Sequence, residues 1–327
     1  MTNFLLSVVI PVYNEEKIIW DSIQKILYVL KQAGIVNEII LIDDGSKDQS
    51  WLEINRLTQQ YPNITAIKFS RNFGKESAIC AGLDRVQGDC CVVMDADMQH
   101  PPEYIPKMVY MWKNEGYEII EGIKQSRGKE PLLKKIGAWF FYKFLNKLSG
   151  INLENASDFR LMDQKVLAAW KLMPERDTFF RAMSTWVGFN KGSITIEIAP
   201  RSAGNSKWSL TRLFCLAIDA ITSFSVIPLQ IVTILGFIFL TVSLILGVQT
   251  LVVKFLGLST EGFTTVILLL LIIGSILMIS LGIIGVYLAK IYEEVKQRPR
   301  YIVSQIIPKA EQATSKTKNI ARRDVFI

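Results

Sequence analysis

Carboxylates stand at three of the four places where an early, short apolar run stops in this 327-residue chain. The runs end in Pro11-Val12-Tyr13-Asn14-Glu15, Asp43-Asp44-Gly45-Ser46, Ser70-Arg71-Asn72 and Asp95-Ala96-Asp97-Met98-Gln99. Asp95, Asp97 and Gln99 supply oxygen ligands that suit a hard ion such as Mg2+ or Mn2+. An ion set between Asp97 and a diphosphate would give so much negative charge a reason to gather at one edge. A DxD triplet alone is weak evidence, since Asp97 also reads as a helix N-cap. Its place directly after Val92-Val93-Met94 strengthens it. Asp44 has a plainer reading as well, as a turn residue ahead of Gly45.

The elements that must position these residues alternate. Leu5–Ile10 reads as a strand, and Glu15–Gly34 repeats apolar residues at helical spacing before its glycine stop. Glu38–Ile42, Ile64–Phe69 and Cys90–Met94 are further short apolar runs. A helix capped by Ser46 or Asp48 follows the first of these, and a helix over Lys75–Arg85 follows the second. Such a pattern predicts an α/β fold whose parallel-rich sheet is covered on both faces. Ligands bind such sheets outside the carboxyl ends of the strands.

The second half of the chain differs. No charged residue occurs between Ala220 and Val253, or between Gly262 and Ala289. About 20 apolar residues span a bilayer core, so two transmembrane helices are expected near 226–248 and 265–288. The segment after them is basic, whereas the connection between them carries only Lys254 and Glu261. Positive-inside asymmetry then puts both flanks in the cytoplasm and the loop at 249–263 outside. The opening residues lack the basic start of a signal peptide. Lys134–Leu148 and Trp208–Ile221 read as amphipathic stretches able to lie at a membrane interface. A net charge of +7 suits anionic lipids or substrates, and no nucleic-acid motif accompanies it. Cys80, Cys90, Cys91 and Cys215 form no metal-like pair and read as thiols. A lone histidine, His100, excludes a His-rich metal site.

Taken in order, VVIPVYNEE, LIDDGSKDQS, RNFGKESA, DADMQHPPE and RSAGNSKW resemble glycosyltransferase family 2. Within it they are most similar to the polyprenyl-phosphate glycosyltransferases, the group that holds dolichyl-phosphate mannose synthase and the bacterial undecaprenyl-phosphate glucosyltransferases. The likeness covers roughly residues 5–210. It implies a GT-A nucleotide-sugar fold followed by two C-terminal transmembrane helices. It places Pro11, Tyr13, Glu15, Ile42 and Asp44 around the base and ribose, and Asp95 and Ala96 on the nucleotide. Asp97 and Gln99 would hold the metal, with Asp95 as a third ligand. Arg201 and Lys207 would reach the donor diphosphate or the lipid phosphate. Gly122-Ile123-Lys124 stands where the family carries Gly-x-Arg; lysine keeps the charge and loses the bidentate fork, and Arg127 is the residue that would share its role. Asp158-Phe159-Arg160 matches a DFR segment of the bacterial members and lies toward the acceptor, with a surface salt bridge as the plainer reading of Arg160.

These residues imply an inverting transferase. A lipid phosphate needs no base, because its second pKa is about 6. The site's task is then to bring two anions together, a metal screening the diphosphate and basic side chains clamping the acceptor. Asp97, Asp158 and Arg160 are the expected catalytic residues, Asp158 as an orienting group rather than a base. The expected partners are a nucleotide-sugar (a uridine donor by analogy), polyprenyl phosphate and membrane lipids; oligomeric state is left open. The expected domains are a cytoplasmic catalytic domain at 1–207, a juxtamembrane segment at 208–225, a two-helix membrane domain at 226–289 and a basic cytoplasmic tail at 290–327. A processive polysaccharide synthase is the alternative enzyme, although its Gln-x-x-Arg-Trp segment is absent and Arg181 to Trp186 is only distantly similar. A non-catalytic membrane adaptor is the alternative outside catalysis, and the intact acidic motifs argue against it.

Overall fold

The computed structural model describes residues 4–124, 156–173, 175–176, 178–197, 222, 227–256 and 262–309. The chain opens with β1 (Leu5–Val12), α1 (Ile19–Gln32), β2 (Val36–Asp43), α2 (Ser50–Gln60), β3 (Ile64–Phe69), α3 (Lys75–Leu83) and β4 (Cys90–Val93). Then come α4 (Ile105–Glu115), β5 (Ile119–Lys124), β6 (Ala156–Asp163), α5 (Gln164–Lys171), α6 (Phe180–Trp186) and β7 (Lys191–Ile196). Two long helices follow, α7 (Ile227–Phe255) and α8 (Phe263–Val295), and a last strand, β8 (Val303–Ile307). The four expected strands and the helices between them are all present, with ends shifted by a few residues.

The strands form one sheet in the order β7-β5-β6-β4-β1-β2-β3-β8. From β4 to β3 the strands run parallel. β6 is antiparallel to both β4 and β5, and β8 is antiparallel to β3. The parallel half explains the unbroken apolar runs: Leu6, Val8, Val9 and Ile10 on β1 and Ile39 to Ile42 on β2 are buried on both faces. Helix α1 turns Ile19, Ile23, Ile26 and Leu30 into that core, which is the stripe that its spacing predicts. Because β1 leads to β2 on one side while β4 lies on the other, the crevice of the sheet opens where β1 and β4 end.

The chain divides into two compact units, one of residues 1–142, 151–207 and 299–327, the other of 143–150 and 208–298. Within the second, two stretches are long and apolar enough to cross a membrane, Ile227–Gln249 and Ile272–Val295. Part of the segment expected as a basic cytoplasmic tail, 290–327, is built into the sheet. Helix α8 continues to Val295, and β8 then joins the sheet. Tyr301 stacks on Phe69 with centroids 5.0 Å apart, and its hydroxyl donates to Asp84 at 2.9 Å. Lys309 reaches the buried Glu38 at 2.7 Å. A five-residue strand with an exposed face leaves little periodicity to read.

Candidate active site

The loops after β1 and β2 are tied together by hydrogen bonds. Asn14 N–H donates to Ser46 Oγ, Asn14 Oδ1 accepts from Lys47 N–H, and Glu15 N–H donates to Ser50 Oγ at 2.7 Å. Gly45 has φ +66°, and a Cβ there would meet the Arg71 carbonyl carbon at 2.4 Å, so only glycine fits. Asn14 and Met98 adopt φ 56° and 57° without being glycine. Both follow strands at the crevice, where strained backbone collects.

Pro11, Ile42 and Ala96 are buried and form walls, while Tyr13 is exposed at the rim. Asp44 is buried, and its two oxygens accept from Phe73 N–H at 2.7 Å and Gly74 N–H at 2.9 Å. Burial raises its pKa, and these two donors offset part of that rise. Asp44 therefore fixes the loop ahead of α3, a task that the expectation of a ribose contact did not include. Asp97 makes a tight local turn: Oδ1 accepts from Gln99 N–H at 3.1 Å and Oδ2 from the Gln99 amide at 2.6 Å. No helix starts on it, so the N-cap reading fails. Among the described residues no cation pairs with Asp97. Glu15 registers that excess of negative charge. Its pKa rises to about 7, first through burial and then through Asp97, Asp48 and Asp95.

Asp95 is placed differently. Its carboxylate meets the Lys75 ammonium at 2.6 Å, and the same ammonium touches Asp158 at 2.5 Å. Arg181 grips Asp158 from the other side through Nε at 2.6 Å and Nη2 at 2.9 Å. Burial alone would raise Asp158; the hydrogen bonds from Arg181 and the charge of Lys75 overcome it and hold the carboxyl well below the usual range. Arg181 and Lys75 thus favour the ionised form of Asp158. Glu76, next to Lys75, accepts from Phe180 N–H at 2.9 Å and ties α3 to the start of α6. Burial, then Asp158, pushes its pKa up to about 7.

Arg160 requires a second correction. It is 0% exposed, so the salt bridge that it makes is a buried one and not a surface one. Its guanidinium pairs with Glu121 at 3.0 Å and donates to the Ser157 carbonyl, the Arg181 carbonyl and the Ser184 hydroxyl. Lys191 also reaches Glu121, at 2.9 Å. Arg160 thereby locks α6 against β6 and fixes the backbone that carries Arg181. His100 is buried and stacks on Phe159 with centroids 5.5 Å apart. The buried Cys80, Cys90 and Cys91 are free thiols, as expected.

The structure thus brings Glu15, Asp95, Asp97, Gln99 and Asp158 to the ends of β1, β4 and β6. Lys124 closes β5 opposite Ile196. Arg127, Arg201, Lys207 and both expected interfacial stretches, Lys134–Leu148 and Trp208–Ile221, lie outside the described residues. Lys75 and Arg181 were not singled out from the sequence as site residues. A signal existed for each: Lys75 stands inside RNFGKESA, and Arg181 is a lone charge within FFRAMSTW.

Comparison with known proteins agrees with this geometry. An uncharacterized glycosyltransferase of Synechocystis sp. is 40% identical over 92% of this chain and 95% of its own length. The prophage bactoprenol glucosyl transferase homolog of Escherichia coli is 36% identical over 92% and 99%. An SfII prophage-derived bactoprenol glucosyl transferase of Shigella flexneri is 36% identical over 92% and 97%. With the family model described as Glycosyl transferase family 2 matching residues 7–170, the chain belongs to glycosyltransferase family 2, and its sheet is that of the GT-A fold.

Proposed function

We propose that this protein is an inverting hexosyltransferase that moves a sugar, glucose foremost, from a nucleotide-sugar to a polyprenyl phosphate at the cytoplasmic face of the membrane. One observation carries the reading: Asp158, the carboxylate expected beside the acceptor, is clamped by Lys75 and Arg181. A hydroxyl acceptor must lose a proton to a base, and Asp158 is unfit for that task. A phosphate acceptor brings no such proton. Its oxygen attacks the anomeric carbon, the bond from that carbon to the diphosphate oxygen breaks, and the nucleoside diphosphate leaves with the bonding electrons. Two relatives that carry the bactoprenol glucosyl transferase name support the acceptor and the sugar. The two long apolar helices support a membrane site. Two crossings would return the chain to the side it left, and the pairing of β8 with β3 supports that reading.

The donor edge fits a divalent cation. Asp97 has no cationic partner among the described residues, and Glu15 is raised first by burial and then by the surrounding carboxylates. The described residues contain no group of three acidic, histidine or cysteine side chains able to hold a metal alone. An ion would therefore share its coordination between Asp97, Gln99 and the donor diphosphate, with Asp95 available once Lys75 yields it. Mg2+ and Mn2+ both suit such oxygens. When bound, the ion supplies charge neutralisation for the departing diphosphate.

The test uses full-length protein in nanodiscs, a panel of nucleotide-sugars headed by UDP-glucose, and undecaprenyl phosphate. Nucleotide release should require the lipid phosphate and yield one sugar per lipid. Chains of several sugars would point to a processive synthase, and absence of any lipid-dependent release across the panel would overturn the reading.

A further inference from the structure

The charges around Asp158 are layered. The Asp158 side chain is 5% exposed, yet the Lys75 and Arg181 side chains that hold it are 39% and 38% exposed. A buried anion thus fixes two cations whose outer faces stay open to solvent. Arg181 directs Nε and Nη2 at Asp158, and its Nη1 makes no hydrogen bond among the described residues. Lys75 turns two of its three protons to Asp95 and Asp158. Behind Arg181, the buried Arg160 accounts for the Arg181 carbonyl, so the backbone as well as the guanidinium is fixed.

The position of this pair in the sheet gives it a side. The donor loops follow β1, β2 and β4, whereas β6, which carries Asp158, lies beyond β4 on the flank away from β1. An acceptor that displaces the diphosphate in line must come from the face of the sugar opposite the leaving group. Lys75 is shared between Asp158 and Asp95, whereas Arg181 meets Asp158 alone and keeps its outer edge open.

On the reading that the acceptor is a lipid phosphate, we propose that Arg181, together with Lys75, binds the acceptor phosphate, and that Asp158 is the positioning residue that holds both cations in place for it. A guanidinium already oriented by a buried carboxylate loses little freedom when a phosphate arrives. Lys75, which also touches Asp95, joins the acceptor flank to the donor flank.

The test compares wild type with Arg181→Gln and Arg181→Lys in the full-length, reconstituted protein. Three quantities are read: the KM for undecaprenyl phosphate, UDP affinity at equilibrium, and competition by inorganic phosphate. Arg181→Gln should raise the lipid KM about tenfold or more, leave UDP affinity within about twofold, and abolish phosphate competition; Arg181→Lys should restore part of the lipid KM. A fall in kcat alone, a loss of UDP affinity with an unchanged lipid KM, or a loss of phosphate competition without any change in lipid KM would each overturn the assignment. Should Arg181→Gln fail to fold, Arg181→Lys decides alone: a lipid KM equal to wild type overturns the assignment. Should the wild type show no lipid-dependent turnover, the functional reading fails instead, and equilibrium phosphate binding to wild type and variant still decides whether Arg181 is an anion site.

Discussion

The two flanks of the crevice handle charge in opposite ways. On the donor flank, Glu15 and Asp97 have no described cation beside them, and burial followed by the neighbouring carboxylates raises the pKa of Glu15 to about 7. On the acceptor flank, Lys75 and Arg181 pair with Asp158, Arg160 pairs with Glu121, and the two groups meet where Arg160 donates to the Arg181 carbonyl. The first flank keeps its carboxylates unpaired as folded. The second is complete as folded, so its charges keep their positions before any substrate arrives. Preorganised charge of this kind stabilises a transition state without reorganisation at the moment of reaction.

The largest effect expected from breaking this contrast is on turnover. Asp97→Asn removes the charge that the donor flank presents to a cation, and should cut kcat by roughly two to three orders of magnitude. Its residual rate should respond only weakly to Mg2+ or Mn2+. Turnover near wild type at low metal would mean that the cation sits elsewhere.

Next in size is stability on the other flank. Arg160→Met leaves Glu121 with Lys191 alone in a buried setting. Breaking a buried pair costs about 3–5 kcal/mol, and Lys191 should hold the loss to the lower part of that range. Thermal unfolding measures it. A midpoint within about 2 °C of wild type, less than 1 kcal/mol shifts in a domain of this size, would show that Arg160 is dispensable.

A smaller loss is expected at the returning strand. Lys309→Met removes the cation from Glu38, but Ser7 and the Gln87 N–H still hold the other carboxylate oxygen. A cost of about 1.5–3 kcal/mol is expected for a hydrogen bond to a charged group. Limited proteolysis should cut the variant after Val295 sooner than wild type; equal rates would show that β8 needs no latch.

The last effect is a pH slope. Glu15 has a folded pKa raised from 4.5 to about 7, so between those values the folded state binds more protons than the unfolded. Its stabilising contribution is fully present below 4.5 and is lost as pH rises through 7. Glu15→Gln should therefore flatten the fall in thermal midpoint across that window in metal-free buffer. An unchanged slope would remove Glu15 from the account.

Much of the donor flank was legible because backbone rules and chemistry coincide there. Strands end, glycine and aspartate mark the turns, and the acidic residues fall in the loops themselves. The acceptor flank was harder to read. Asp158, Lys75 and Arg181 are 83 and 23 residues apart along the chain, and nothing local announces that an antiparallel β6 will bring them together. Arg160 misled for a related reason: an arginine beside an expected site reads as a ligand contact, and only burial reveals an internal tie. β8 was missed because its pairing with β3 spans more than 230 residues and the strand itself is only five residues long. The two long helices were plain, since an uncharged run is a property of composition alone.

The central claim is that the acceptor enters as a phosphate and gives up no proton to the protein. Undecaprenol tests this directly, because it keeps the chain of undecaprenyl phosphate and replaces the phosphate with a hydroxyl. Reconstituted wild-type protein, supplied with the preferred nucleotide-sugar, should glycosylate undecaprenyl phosphate and leave undecaprenol untouched at equal concentration across pH 6 to 9. Transfer to undecaprenol at a comparable rate, rising with pH as a base loses its proton, would contradict the account.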